Sequence, residues 1–454
     1  MSPQGAVGAE LVDLAARVAG WARPGEQIEV YALRSKDTDI DVYEGRIESL
    51  SSAESAGMGV RVVRAGRQGF AYAGSLEEDL LAETLTEARD NAGFASVDPW
   101  AGLAVPDGVA PVGLELWRED LASMPTSEKV ERALGLEGAV RAADSRVSAV
   151  PSASWGDSSV EMALASSEGI LASTRRTVCY LSAVAAASDG RETQTGAGYS
   201  VGRSPAEVDL DRAASDAARR ATRLLGATKP ASARLTVVLE PRITASLLAI
   251  LAGTLDGESV AKGRSLFADR LGEQVGAPGL SLVDDPTDPE AYGAAAVDAE
   301  GLATRRNVLI EGGVLERFLY DSYAARRAGT SSTASAVRAG FKSPPRAGAR
   351  ALSVVPGSAT PEEIYSSVGD GLLVQAVSGL HSGVNPVSGD FSVGADGVMI
   401  RGGELAGPVR EVTVASTLQR MLQAVVAVGG DLERVPGPAA GVTLAIAEVS
   451  MSGR

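Results

Sequence analysis

The chain has 454 residues, with 42 Lys plus Arg against 58 Asp plus Glu, a net charge of −16, one His and one Cys. An intrachain disulfide is therefore impossible, as is any zinc site within one chain that needs two or more thiolates or two or more imidazoles. The acidic balance disfavours nucleic acid as a partner, and a 45% hydrophobic but only 4% aromatic composition implies a large core of Ala, Val, Leu and Ile.

Residues 9–19 read as an amphipathic helix, with Leu11, Leu14, Ala15 and Val18 at helical spacing. Glu10 and Asp13 lie within it and no basic block precedes an apolar one, which argues against a secretory signal. The period then changes. Residues 27–33, 39–43, 46–53, 57–64 and 68–73 read as consecutive strands separated by turns at Ser35-Lys36-Asp37, Glu44-Gly45 and Ala65-Gly66-Arg67. The alternation of Ile28, Val30 and Ala32 with polar neighbours predicts an antiparallel meander with one solvated face. Ser75 is placed to cap a helix reaching about residue 91, with Glu77, Glu78 and Asp79 in its first turn. Residues 96–125, carrying Pro99, Pro106, Pro111 and Pro125, read as a wrapping linker. A helix over 127–143, strands over 146–199 and a helix opened by Pro205 and reaching residue 225 follow.

The polar stretch from Ala227 to Ser232 is the best boundary, dividing the chain into domains 1–228 and 229–454. A strand at 234–239 leads into a helix at 243–255, whose 13 residues form the most apolar helical stretch and are too few to span a bilayer. Beyond it the pattern gives short strands at 305–311, 315–320, 351–355, 372–377, 391–400 and 410–414, a helix at 416–426 and a final strand at 442–447. Residues 329–348 are poor in apolar side chains and read as a mobile loop. Strands and helices come in runs, so α+β is expected, in a soluble cytoplasmic protein.

Several local patterns could carry chemistry. Gly198-Tyr199-Ser200-Val201-Gly202 matches a nucleophile elbow, and His381 follows in triad order. The elbow needs a strand leading directly into a helix, and Gly202-Arg203-Ser204 intervenes. Cys179 lies in an apolar strand and reads as a buried small hydrophobe, although counting alone leaves a Cys179–His381 pair open. The acidic run from Asp284 to Glu290 reads as a solvated turn. The stretch from Ser378 to Ser392 is a polar loop entering a strand. Its side chains either satisfy their own backbone or place His381, Ser382, Asn385 and Asp390 against a peptide or a partner.

Two segments carry a family likeness. One runs Val42-Tyr43-Glu44-Gly45-Arg46-Ile47-Glu48-Ser49-Leu50, continuing through Gly57 to Arg61 and Gly66-Arg67-Gln68-Gly69-Phe70-Ala71. The other runs from Ser382 to Ser392, with Gly402-Gly403-Glu404 and Pro408-Val409 beyond it. Together they resemble the PmbA/TldD family, also called the modulator of DNA gyrase or peptidase U62 family, over nearly the whole chain. The resemblance implies an N-terminal α/β domain and a C-terminal β-rich, barrel-like domain. It also implies two subunit types. TldD-like chains hold zinc on a His-Glu-x-x-x-His helix with a distant Cys; PmbA (TldE)-like chains lack that motif and pair with a TldD-like chain.

This sequence is similar to the second type. Ungapped matching sets Ala249, Ile250 and Thr254 where active subunits have His, Glu and His, and Gly253 where they have a Gly that lets the helix distort. The resemblance thus implies no catalytic residue and no metal in this chain, with zinc in the partner subunit of a heterodimer that cuts unfolded and small peptides. The alternative is a non-proteolytic protein that binds DNA gyrase or another protein target. A serine hydrolase using Ser200 and a self-paired homodimer are further readings.

Overall fold

The computed structural model describes residues 4–454, with side chains from residue 9 onward. It is α+β, with antiparallel sheets and a closed five-stranded barrel, as expected. The N-terminal half is one sheet of six strands: β1 (Glu26–Tyr43), β2 (Arg46–Arg64), β3 (Arg67–Ala73), β4 (Val147–Ser166), β5 (Leu171–Ser188) and β6 (Thr193–Gly202). They lie in the order β3-β2-β1-β4-β5-β6, every neighbouring pair antiparallel.

One face of this sheet is covered by helices Gln4–Ala19, Glu78–Phe94, Thr126–Ala143 and Leu210–Arg223. Leu81, Leu85 and Ala88 pack with Val60 and Val62; Leu136, Val140, Ala213 and Ala217 pack with Trp155, Leu181 and Ala183, all buried. Small residues on both sides bring helix and sheet close, which explains how so few aromatics suffice.

The meander differs from the expected one. No turn forms at Ser35-Lys36-Asp37: β1 runs unbroken, and Lys36 sits opposite Glu54 of β2 and Ser159 of β4. A strand paired on both edges keeps its ladder through a polar stretch that would otherwise favour a turn. The turn at Glu44-Gly45 does form, both residues having positive φ (52° and 70°), as a tight right-twisted hairpin requires. Ser75 does not cap its helix. Glu77 holds that position, and the Ser75 hydroxyl instead accepts the Glu77 N–H. The helix expected from Pro205 starts at Leu210, because the Asp209 carboxylate accepts the Arg212 N–H.

The C-terminal half holds the barrel. Strand β7 (Ala233–Leu239) pairs in parallel with strand Gly371–Ser378 and antiparallel with strand Leu444–Ser452. Strands Asp390–Arg401 and Glu404–Thr417 continue the wall, and Thr413 to Ala415 pair with Ser450 to Ser452 to close it. Beside it lies a second sheet built from Leu282–Asp284, Asn307–Glu311, Val314–Leu315, Leu352–Val354, Glu433–Arg434 and Ala439–Gly441. Between the two lies helix Pro241–Ala252, whose Leu247, Leu248 and Leu251 join the largest apolar cluster. The strand expected at 315–320 is only Val314–Leu315, and the last helix is Leu418–Gln423, since residues expected to begin it extend strand Glu404–Thr417.

The second face of the N-terminal sheet packs on the C-terminal half. Residues 329–348, expected to be mobile, form part of that contact. Ala334, Ala336 and Phe341 are buried, and Ala336–Val337 pairs with Arg346–Ala347. Phe341 lies over β2, where a Cβ on Gly57 would sit 2.5 Å from its ring and one on Gly59 2.3 Å from its carbonyl oxygen. Two glycines in β2 therefore admit this segment. No helix among the described residues is long and apolar enough to cross a membrane.

Candidate functional site

Helix Pro241–Ala252 is where the sequence resemblance places the lost metal motif. It starts with Pro241 at N1 and packs Ile243, Leu247, Leu248 and Leu251 inward. Arg242, Ser246, Ala249 and Gly253 follow at helical spacing on the opposite side, where Ala249 and Gly253 are exposed. Arg242 and Ser246 line a cleft of about 370 Å³ between the two halves of the molecule. Its other walls are Gly196 and Ala197 of β6, Gln375 of strand Gly371–Ser378, and Leu380.

The three motif positions do not converge. Ala249 is exposed, Ile250 is half-buried against the main core, and Thr254 is fully buried. The Thr254 hydroxyl donates to Leu251 O at 2.7 Å, closing the helix end. The helix stops at Ala252 rather than distorting within, and Gly253 has an ordinary φ of −68° with room for a Cβ. A methyl, a sec-butyl and an inward-turned hydroxyl do not fit a zinc ion, which wants imidazole, thiolate or carboxylate donors on one side. Among the described residues no group of three or more His, Cys, Asp or Glu could hold a metal ion.

The His381 loop reaches the same cleft through Leu380, on the short helix Leu380–Gly383. His381 and Ser382 are exposed. Asn385 accepts the Val387 and Ser388 N–H groups at 2.9 and 3.2 Å, and Ser388 donates to the Asp390 carboxylate at 2.7 Å. Asn385 and Asp390 thus hold the turn, while the His381 side chain makes no hydrogen bond to another described residue. The other patterns are structural too. Ser200 lies inside β6, its hydroxyl accepting the Asp209 N–H at 2.8 Å, so no elbow exists. Cys179 is buried, contacts Ser204 O, and has its thiol pushed up to about 12 by burial. In the acidic run Asp284 is buried, its carboxyl pushed up to about 6 by burial, and accepts the Arg350 and Ala351 N–H groups.

Sequence reasoning missed a buried ionic cluster that joins the two halves. Arg61 of β2 donates to Glu29 of β1 at 2.6 Å and to Glu300 at 3.3 Å. Arg338 donates to the other Glu29 oxygen at 2.6 Å and lies over the Tyr31 ring. All four charged side chains are at most 3% exposed. Burial pushes the Glu29 carboxyl up, but the Arg61 and Arg338 guanidiniums outweigh it and hold it below the usual carboxylate range. Burial likewise works against Arg61, and the Glu29 and Glu300 carboxylates raise it instead. Asp298 and Asp321 nearby are pushed upward, by burial first and by the charge of Glu300 second. Arg61 was visible in the family-like segment, but its partners are remote in sequence.

Three family models match the chain in order: PmbA/TldA metallopeptidase domain 1 over residues 28–92, the central domain over 119–225 and the C-terminal domain over 232–453. The chain belongs to the PmbA/TldD family. Metalloprotease PmbA of Escherichia coli O157:H7 is 28% identical over 93% of this chain and 91% of its own length. The Metalloprotease TldD homolog of Haemophilus influenzae is 28% identical over 87% of this chain and 83% of its own. Among solved structures, TldE from Thermococcus kodakarensis superposes with a TM-score of 0.89 over 98% of this chain and all of that one, at 22% identity. A putative modulator of DNA gyrase from Bacteroides thetaiotaomicron gives 0.87 at 25% identity, over 97% and 98% of the two chains. In this PmbA/TldD chain the first two matched regions fall on the six-stranded sheet and its helices, and the third on the barrel half.

Proposed function

We propose that this chain is the non-catalytic, PmbA/TldE-type subunit of a two-chain zinc metallopeptidase acting on unfolded and small peptides. The observation that carries the reading is the donor set on helix Pro241–Ala252 and its end: Ala249, Ile250 and Thr254 supply no zinc ligand and no general base, and they face three different environments. In this reading a TldD-like partner supplies the metal and the base, and this chain completes the peptide-holding chamber.

A surface for that partner is supported by the β1–β2 hairpin. β2 pairs with β3 only from Met58 to Arg64, so the outer edge of its first half has no strand partner among the described residues. Ile47 and Leu50 stand opposite the buried Val42 and Ile40, yet are 48% and 45% exposed, because helix Thr126–Ala143 covers this end of β1 and the helix over β2 covers only its second half. An open edge flanked by exposed apolar side chains accepts a strand of another chain.

The test is purification of the chain alone and after co-expression with a TldD-like chain, with zinc content and peptide hydrolysis measured on both. Zinc and hydrolysis are expected only in the co-purified complex. Stoichiometric zinc and peptide hydrolysis by the chain alone would overturn the proposal.

A further inference from the structure

Between the second face of the N-terminal sheet and the C-terminal half lies a cleft of about 380 Å³, distinct from the one beside helix Pro241–Ala252. Its floor is set by strand register. Leu33 of β1 faces Met162 of β4, and Val160, two residues earlier on the same face, lies opposite Arg176 of β5. Its roof carries Phe341, Lys342 and Arg350. Five basic side chains, among them Arg175 and Arg338, line it against the two acidic ones Asp37 and Asp298, so the charge here is opposite to that of the molecule as a whole.

Arg176 is half-buried, and its side chain makes no hydrogen bond or ion pair to another described residue. No carboxylate among the described residues is bound to the Arg350 guanidinium, and its Nε is buried without a hydrogen-bond partner among them. The carboxylates of Asp298, which also lines the cleft, and Asp284 act in the opposite sense on Arg350, but both accept backbone N–H groups and neither is bonded to its guanidinium. Burial first, and the facing Arg176 second, pull Arg350 below the usual guanidinium range. Two guanidiniums that repel each other across a partly desolvated space are costly unless an anion sits between them. Lys342 adds a further cation, over the Phe341 ring.

We infer that this cleft binds a carboxylate carried on an apolar body, with Arg176 and Arg350 gripping the carboxylate and Leu33, Met162 and Phe341 receiving the apolar part. A planar carboxylate suits two guanidinium forks, and the volume suits a ligand of one or two amino-acid residues. The inference rests on the cleft alone and not on the presence of a peptidase partner.

The experiment is calorimetric titration of the full chain at low salt with N-acetyl-leucine, its neutral amide and inorganic phosphate. The acid is expected to bind about tenfold or more tighter than the amide, and tighter than phosphate, with affinity falling as salt is added. Arg176→Met and Arg350→Met are each expected to weaken the acid about tenfold or more. Each should also melt at or above the wild-type temperature, because each removes a cation that lacks an anionic partner; a purely structural arginine would show the reverse. Equal binding of acid and amide would overturn the assignment, as would phosphate binding as tightly as the acid, or no binding of any probe. The comparison of acid with amide on the wild-type chain needs no variant to fold.

Discussion

Replacing Arg61 by Met removes the central cation of the buried cluster. Glu29 keeps Arg338 at 2.6 Å, but Glu300 loses its guanidinium and retains the Ser322 N–H at 2.8 Å. Glu300 is fully buried, so water does not replace what is lost. Breaking a buried pair by removing one partner costs roughly 3–5 kcal/mol, because the remaining charge stays desolvated. The expected result at pH 7 is therefore a loss of about 3–5 kcal/mol in equilibrium urea unfolding, read by far-UV circular dichroism. A second variant separates the electrostatic cause from simple loss of packing. The double variant Arg61→Met/Glu300→Gln should recover at least half of it, since exchanging both partners leaves no lone charge. A loss under about 1 kcal/mol at pH 7, or a double variant no better than the single one, would refute the claim that this cluster fastens the two halves.

Asp298 and Asp321 have carboxyls raised above the unfolded value, so the folded chain holds protons that the unfolded chain releases. Their contribution to stability is full below the ordinary carboxylate range and is lost as pH rises toward neutrality; Asp321→Asn should flatten that decline in a pH series of unfolding midpoints, and an unchanged slope would count against it. Gly59→Ala places a Cβ 2.3 Å from Phe341 O, so it should destabilise by about 1–3 kcal/mol and increase proteolysis near residue 341. Installing the motif as Ala249→His/Ile250→Glu/Thr254→His should yield no stoichiometric zinc, because position 254 is buried with its side chain turned inward; mass spectrometry showing one bound zinc would contradict that geometry. Cys179 should resist Ellman's reagent in the native chain and react fully in urea, as its burial and raised thiol demand.

The parts of the fold that the sequence makes legible are those set by neighbours along the chain. Glu44-Gly45 announces its hairpin, and the alternation of Ile28, Val30 and Ala32 marks the first half of β1. What fails does so because distant partners decide. Ser35-Lys36-Asp37 has turn composition, but strands on both sides hold it extended. Residues 329–348 look too polar to pack, yet one aromatic, Phe341, fits the space two glycines leave on β2. The candidate site divides similarly. Asn385 and Asp390 are readable as turn formers, whereas the roles of Arg61, Arg176 and Arg350 depend on residues far away in sequence.

Closure of the barrel has a consequence for biosynthesis. The strand Leu444–Ser452 sits between β7 and Val425–Val428 and also completes the seam with Glu404–Thr417. Every strand of the six-stranded sheet has been made by residue 202, but no shorter nascent chain can seal the second half until residues 444–452 emerge. The first half can thus fold while translation continues, whereas the apolar barrel interior waits for that closing strand. A chain stopped after Gly441 should therefore retain a protease-resistant N-terminal fragment and occupy chaperones through the remainder; resistance of both halves would show that the seam is dispensable.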